Sequence, residues 1–245
     1  MAKITPLQIY KFLPGTNSKK CGEPTCMAFA SKLIERKRRI DECPILDQPE
    51  YKETKKGLVE LMTPPGKEVV IGTGNSAIAV GGEEVMYRHE LTYFNPTALF
   101  VDVHDEMGPE ELLGRVDGVK NFTFRRVGQD LKLNGVAVRS RSGDPTRFGE
   151  AVMTILERYD LPMILCSYSP EVLEVGLEIA AGKRPLIYAA TKENWEQVAD
   201  LAIKHQVPLV ASSPGDIQGL MDLVQNLVEN GIQDIVLDIG SAPSG

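Results

Sequence analysis

The sequence predicts an α/β protein: a small helical head followed by a TIM-type (β/α) barrel that is incomplete, with about six of the eight βα units. Three observations carry this expectation. Past Thr97, short apolar strands alternate with amphipathic helices at a period of roughly 23 to 25 residues, which suits a barrel better than a doubly wound sheet with its longer excursions. Runs such as Met163-Ile164-Leu165-Cys166 are apolar without a break, as strands covered on both faces must be. The residues before Glu50 show no such alternation and hold three of the chain's four cysteines.

In chain order, Leu7, Tyr10 and Leu13 recur at helical spacing, and Pro14-Gly15-Thr16-Asn17 is a turn sequence that stops a helix. From Cys26 to Ile40, Met27, Phe29, Ala30, Leu33 and Ile34 form an apolar stripe; Lys32, Glu35, Arg36, Lys37, Arg38 and Arg39 fill the rest. The basic end reads as a solvated helix C-terminus favoured by the dipole, with a docking surface for an acidic partner as the alternative. Glu50 to Gly66 reads as a polar helical linker closing at Pro64-Pro65-Gly66. The domain boundary is expected there: residues 1–64 as head and linker, residues 65–245 as a partial barrel with an entry β-hairpin.

That hairpin is read from Val69 to Thr73 and Ala77 to Val80 around Gly74-Asn75-Ser76, with Val85 to Phe94 as a third extended piece. Six strands follow: Ala98 to Val103, Phe122 to Val127, Pro162 to Tyr168, Pro185 to Ala190, Pro208 to Ser213 and Asp234 to Ile239. Between them lie five helices, Pro109 to Val119, Pro145 to Tyr159, Pro170 to Ala181, Glu193 to His205 and Asp216 to Asn230, several opening on proline or an acidic residue. A closed barrel needs eight strands, so the sheet stays open, or another subunit covers its edge, or the chain is a fragment.

Composition is that of an ordinary globular chain of 245 residues, with 42% hydrophobic and 25% charged residues. The net charge of −7 argues against a large nucleic-acid footprint, which needs a basic face. No apolar run approaches the ~18 to 20 residues that span a bilayer, and MAKITPLQIYKF lacks the apolar core of a signal peptide, so no membrane role and a cytoplasmic location are expected. Three unevenly spaced thiols with a distant fourth, Cys166, do not make a secreted disulfide framework. Metal binding is the better account, with a Cys21–Cys26 disulfide as the alternative.

Cys21, Cys26 and Cys43, with Ser18 where another sulfur would be expected, have the spacing of an iron-sulfur cradle, since a cubane cluster needs one soft thiolate per corner. The full motif is Asn17-Ser18-Lys19-Lys20-Cys21-Gly22-Glu23-Pro24-Thr25-Cys26-Met27-Ala28-Phe29-Ala30, closed by Asp41-Glu42-Cys43-Pro44. On these residues the chain resembles the large subunit of the corrinoid iron-sulfur protein, called the gamma subunit of the acetyl-CoA decarbonylase/synthase complex in methanogenic archaea. Leu13-Pro14-Gly15-Thr16-Asn17, Tyr87-Arg88-His89, Leu161-Pro162-Met163-Ile164 and Asp234-Ile235-Val236-Leu237-Asp238 extend the likeness over nearly the whole chain.

The resemblance implies a 4Fe-4S head, a TIM barrel and a C-terminal corrinoid domain. It implies a methyltransferase component whose corrinoid cobalt carries a methyl group from a methylated tetrahydropterin to acetyl-CoA synthase, the head serving electron transfer and the barrel serving as scaffold. Implied partners are the small (delta) corrinoid iron-sulfur subunit and the acetyl-CoA synthase/CO dehydrogenase subunits. The isolated chain is not expected to be active alone, because the corrinoid domain and the last two βα units are absent from the sequence. Ser18 stands at the family's leading cysteine; a neutral hydroxyl is a poorer ligand than a thiolate, so a 3Fe-4S form or a 4Fe-4S cluster with one oxygen ligand is expected. Rival readings are a stand-alone pterin-binding methyltransferase barrel, a non-functional fragment, and a head site that has decayed and holds no cluster.

In the barrel half, Asp102, His104, Asp105, Ser167, Tyr168, Thr191, Ser213 and Asp238 fall at strand ends that face a ligand in TIM barrels, where the resemblance places a pterin or a corrinoid tail. Asp102 and Asp238 could equally cap turns. His89 and His205 read as structural, Cys166 as a buried small side chain, and Trp195 as packing on the barrel exterior. Gly72-Thr73-Gly74 and Gly81-Gly82 lack the helix and lysine of a phosphate loop.

Overall fold

A computed structural model of the protein describes residues 4–35, 37–62, 66–82 and 95–240. The chain divides into two compact units, Met1–Pro65 and Gly66–Gly245. Arg36, the expected extended piece Val85 to Phe94, and Tyr87-Arg88-His89 within it lie outside the described residues.

Among its described residues the first unit is built on three helices, α1 (Pro6–Tyr10), α2 (Cys26–Ile34) and α3 (Lys52–Met62), linked by short 3-10 turns. Thr5 caps α1 reciprocally: its N–H donates to Gln8 Oε1 at 2.8 Å, and the Gln8 N–H returns to Thr5 Oγ1. Thr25 Oγ1 caps α2 by accepting the Ala28 N–H at 3.0 Å. The apolar stripe of α2 buries Phe29, Ala30 and Leu33 against Ile9, Leu13, Leu46 and Leu58. Leu58 is fully buried, so the helix read as a polar linker, α3, packs into the head.

Helix α2 ends at Ile34, not Ile40. The basic segment beyond it is drawn into ion pairs that turn the chain back: Arg38 donates to Glu23 Oε1 and to Glu42 Oε2, each at 2.9 Å, and Glu42 Oε1 accepts the Arg39 N–H. That turn returns Cys43 to the start of α2's neighbourhood.

The second unit opens with an antiparallel hairpin, β1 (Glu68–Ile71) and β2 (Ile78–Gly81), with Val69 opposite Val80. Among the described residues six parallel strands follow: β3 (Phe100–His104), β6 (Gly135–Arg139), β7 (Met163–Cys166), β8 (Leu186–Ala190), β9 (Leu209–Ser212) and β10 (Ile235–Asp238). They lie side by side in the order they occur along the chain, the arrangement of a TIM-barrel wall left open. Helices α4 (Pro109–Asn121), α5 (Pro145–Leu156), α6 (Pro170–Ile179), α7 (Trp195–His205) and α8 (Ile217–Glu229) connect them.

One side of the sheet packs Val103, Val136, Val138, Leu165 and Ile187 beneath these helices. On the other side, Ile71 of the hairpin seats against Leu186, Ala189 and Val210, with Phe100, Ile164 and Val236 around them. Arg184 anchors the hairpin by donating to the Val70 carbonyl at 3.1 Å while pairing with Asp234. Both faces of the wall are thus apolar, as the unbroken strand sequences require.

The second expected strand, Phe122 to Val127, is not in this sheet. It forms β4 (Thr123–Arg126), paired antiparallel with β5 (Gln129–Lys132), and every residue of both is exposed. Val127 (φ 49°) and Gly128 (φ 78°) make the two-residue turn that folds the segment on itself. The strand that takes its place is β6, which starts on a glycine and ends on an arginine. Gly135 is obligatory there because a Cβ would collide with the Pro162 carbonyl oxygen and the Phe100 ring.

Candidate metal centre

The loop from Leu13 to Cys26 is curled by four left-handed residues, Gly15 (φ 69°), Asn17 (φ 48°), Lys19 (φ 62°) and Gly22 (φ 82°). Asn tolerates this region better than most residues, and Gly22 has a second reason, since a Cβ would lie 3.0 Å from Arg38 Nη2. Asn17 Oδ1 accepts the Cys26 N–H at 2.8 Å, fastening the loop to the first turn of α2. The Gly22 N–H donates to the Lys19 carbonyl at 3.0 Å and closes the turn that carries Cys21.

These turns surround a small hollow lined by Cys21, Cys26 and Cys43 together with Ser18, with Leu13, Phe29 and Ile45 forming an apolar wall. The four residues expected to form the cradle therefore face one space. All three cysteines are free thiols in the structure. Cys43 is buried; Cys21 and Cys26 are half-buried. Glu23 at the rim is neutralised by Arg38. Among the described residues, no three His, Cys, Asp or Glu side chains are grouped tightly enough to hold a metal ion. A cluster several atoms across spreads its thiolates further apart than one ion does, and the donor set of three thiols and a hydroxyl about a shared hollow fits such a group.

The strand-end residues of the second unit fare differently. Asp102 is paired with Arg139 Nε at 2.9 Å. Asp105 is buried and accepts from Ser140 Oγ, Ser142 Oγ and the backbone N–H groups of Arg141 and Ser142. Burial alone would raise its pKa, but these donors outweigh it and hold the carboxyl below the usual aspartate value. It is a loop anchor. His104 Nε2 lies 3.2 Å from Arg141 Nη1, while its Nδ1 is buried without a hydrogen-bond partner.

Asp238 accepts from Tyr188 Oη at 2.8 Å, Ser212 Oγ at 3.0 Å and the Gly240 N–H at 2.8 Å; these donors also overcome burial and lower its pKa. Burial, with the neighbouring Tyr168 and Asp238, raises the phenol of Tyr188. Tyr168 is exposed, its ring 6.0 Å from that of Tyr188. Thr191 bonds Asn194 and Ser167 Oγ accepts the Ser169 N–H, each organising its own turn, while the Ser213 N–H donates to the Asp238 carbonyl and ties the end of β9 to β10.

Arg139 and Tyr188 are the members of this end that the sequence did not single out: one sits on the strand that was missed, the other inside an apolar run. Cys166 is buried, and that burial pushes its thiol up to about 12. Trp195 packs at the edge of the helical core, His205 lies on the last turn of α7 with a buried Nε2, and His89 is outside the described residues. A 3-10 turn, Gly74–Ser76, follows Gly72-Thr73 where a phosphate loop would need a helix.

A thiol-lined head followed by a sequential parallel α/β wall defines a two-part protein of iron-sulfur type. The chain belongs to the CO dehydrogenase/acetyl-CoA synthase delta subunit family, whose model matches residues 68–245, and a second model, described as "Putative Fe-S cluster", matches residues 13–45. Similar proteins carry the gamma name: acetyl-CoA decarbonylase/synthase complex subunit gamma 2 of Methanosarcina thermophila is 48% identical over 98% of this chain and 52% of its own length. Subunit gamma 1 of Methanosarcina mazei is 45% identical with the same coverage, and subunit gamma of Methanocaldococcus jannaschii is 41% identical over 98% of this chain and 49% of its own. The chain spans about half the length of the curated relatives it matches. No helix among the described residues is long and apolar enough to cross a membrane.

Proposed function

We propose that Cys21, Cys26 and Cys43 ligate an iron-sulfur cluster, with Ser18 beside its fourth corner. In this reading residues 1–64 are the cluster-bearing head and residues 65–245 the scaffold of a corrinoid iron-sulfur assembly in the cytoplasm. The assembly moves a methyl group between a methylated tetrahydropterin and acetyl-CoA synthase, and the corrinoid is held outside the residues described here. The carrying observation is that three free thiols and Ser18 line one hollow.

When bound, the cluster supplies one-electron redox chemistry, used in this family to return an over-oxidised corrinoid to its reactive state. The chain's own residues do the rest. Asn17 and Gly22 fix the loop that presents Cys21, Thr25 starts the helix that presents Cys26, and the Arg38 pairs bring back Cys43. Leu13, Phe29 and Ile45 limit water at the site. A serine hydroxyl in place of a thiolate removes one negative charge, which raises the reduction potential of the site.

Anaerobic iron and sulfide analysis of the native chain beside Ser18→Cys tests the ligand set. About three irons per chain in the native protein and about four in the variant are expected. No iron in either protein overturns the assignment.

A further inference from the structure

The β4–β5 hairpin contributes nothing to the core of its own unit, yet its sequence is patterned as if one face were to be buried. The register sets Phe124 opposite Leu131 and Arg126 opposite Gln129, so Phe124, Arg126, Gln129 and Leu131 share a face. Thr123, Arg125, Asp130 and Lys132 share the other, where Arg125 lies 3.8 Å from Asp130. Such alternation belongs to a sheet with one face covered. Here Phe124 is 54% and Leu131 46% exposed.

Connections in βα arrays need only a few residues, so a hairpin between α4 and β6 is an addition to the fold and not a requirement of it. An uncovered two-stranded hairpin is marginal in water. Its turn adds a cost: Val127 holds φ 49°, a conformation hostile to a β-branched side chain, where asparagine or glycine would relieve it. Val127 is 95% exposed, so intramolecular packing does not explain the residue. The hairpin is also a basic island in a chain of net charge −7, with Arg125, Arg126 and Lys132 against Asp130. Arg126 and Lys132 make no ion pair with a described residue, and Arg126 sits at the outer end of the apolar face.

We infer that the β4–β5 hairpin is a docking arm that inserts Phe124, Leu131 and Val127 into an apolar groove on another protein subunit, with Arg126 meeting a carboxylate at the rim of that groove. This rests on the assembly reading above and adds to it the surface used. Aromatic and arginine anchors on an exposed hairpin are the residue types that dominate such contacts, and the hairpin's excess positive charge favours an acidic rim over a neutral one.

The test uses the full chain and, as probe, the remaining subunits of the acetyl-CoA decarbonylase/synthase complex purified from the source organism. Binding is measured by sedimentation at two salt concentrations for the native chain, for Phe124→Ser combined with Leu131→Ser, and for Arg126→Glu. We expect the serine pair to weaken binding by about 30-fold or more. Arg126→Glu should weaken it and flatten or reverse its salt dependence. Thermal melts should be unchanged, because these side chains lie outside the core.

Equal binding by all three proteins overturns the docking arm and leaves the assembly reading standing. A native chain that binds no subunit overturns both. A chain that dimerises by itself, and is made monomeric by the serine pair, identifies a second copy as the occupant and overturns the partner assignment.

Discussion

Asn17 Oδ1 and the Cys26 N–H, nine residues apart in sequence, are joined by a 2.8 Å hydrogen bond that sets the cysteine loop against the start of α2. The same asparagine holds a left-handed backbone, so it serves the loop twice. Asn17→Ala removes the bond and strains the backbone, and should destabilise the head by about 2 kcal/mol. Asn17→Gly removes only the bond and should cost about 1 kcal/mol. Hydrogen exchange at the Cys26 amide reads both; equal losses would assign the whole effect to the side-chain amide.

The cysteines differ in reactivity by position. Burial, opposed by Arg139 and reinforced by Asp102, pushes the Cys166 thiol up to about 12, which leaves almost no thiolate at neutral pH. Iodoacetamide should therefore label Cys21 and Cys26 of the cluster-free chain at neutral pH and reach Cys166 only in denaturant. Peptide mass spectrometry checks this, and native-state labelling of Cys166 at the rate of Cys21 would contradict its enclosure.

Asp105 gives the second unit an acid limb. Its folded-state pKa lies below the ordinary 3.8, so its contribution is complete above that value and is lost as pH falls through the lower folded value. Asp105→Asn should cost about 1.5–3 kcal/mol at neutral pH through weakened bonds from Ser140, Ser142 and Arg141. Urea titrations across pH should show the gap between variant and native protein closing below about pH 4. A gap that stays constant would mean that the carboxylate's charge is not what holds the loop.

Gly135→Ala forces a methyl group onto the Pro162 carbonyl and the Phe100 ring at the junction of three strands. A loss of about 3 kcal/mol is expected, from backbone that must shift and not from a flexible neighbour that can give way. The control is Gly118→Ala on α4, where a Cβ meets nothing within 4 Å and helix propensity favours alanine.

The head was legible where chemistry dictates residue type. The spacing of Cys21, Cys26 and Cys43 pointed to one space, and all three line the same hollow. The end of α2 was not legible, because Lys37 to Arg39 pass for a helical turn and only the long-range pairs of Arg38 show that they form a return loop.

In the wall, five of the six strands were read from apolar runs. The strand count matched for a wrong reason at the second place. Phe122 to Val127 has the aromatic and branched residues of a strand but packs against nothing, while Gly135 to Arg139 lacks bulk at its start. The signal that separates them was present: Val127-Gly128 between the alternating Thr-Phe-Arg-Arg and Gln-Asp-Leu-Lys is a two-residue hairpin pattern. With β6 misplaced, Arg139 and its pairing with Asp102 were out of reach, since cross-strand partners follow only from the correct register.

Each parallel strand after β3 lies beside the one that precedes it in the wall. A newly made βα unit therefore finds its template already in place, and the wall can grow in the direction of synthesis as the chain leaves the ribosome. Only the excursion between Phe122 and Asn134 interrupts that order, and it closes on itself without borrowing from the growing edge.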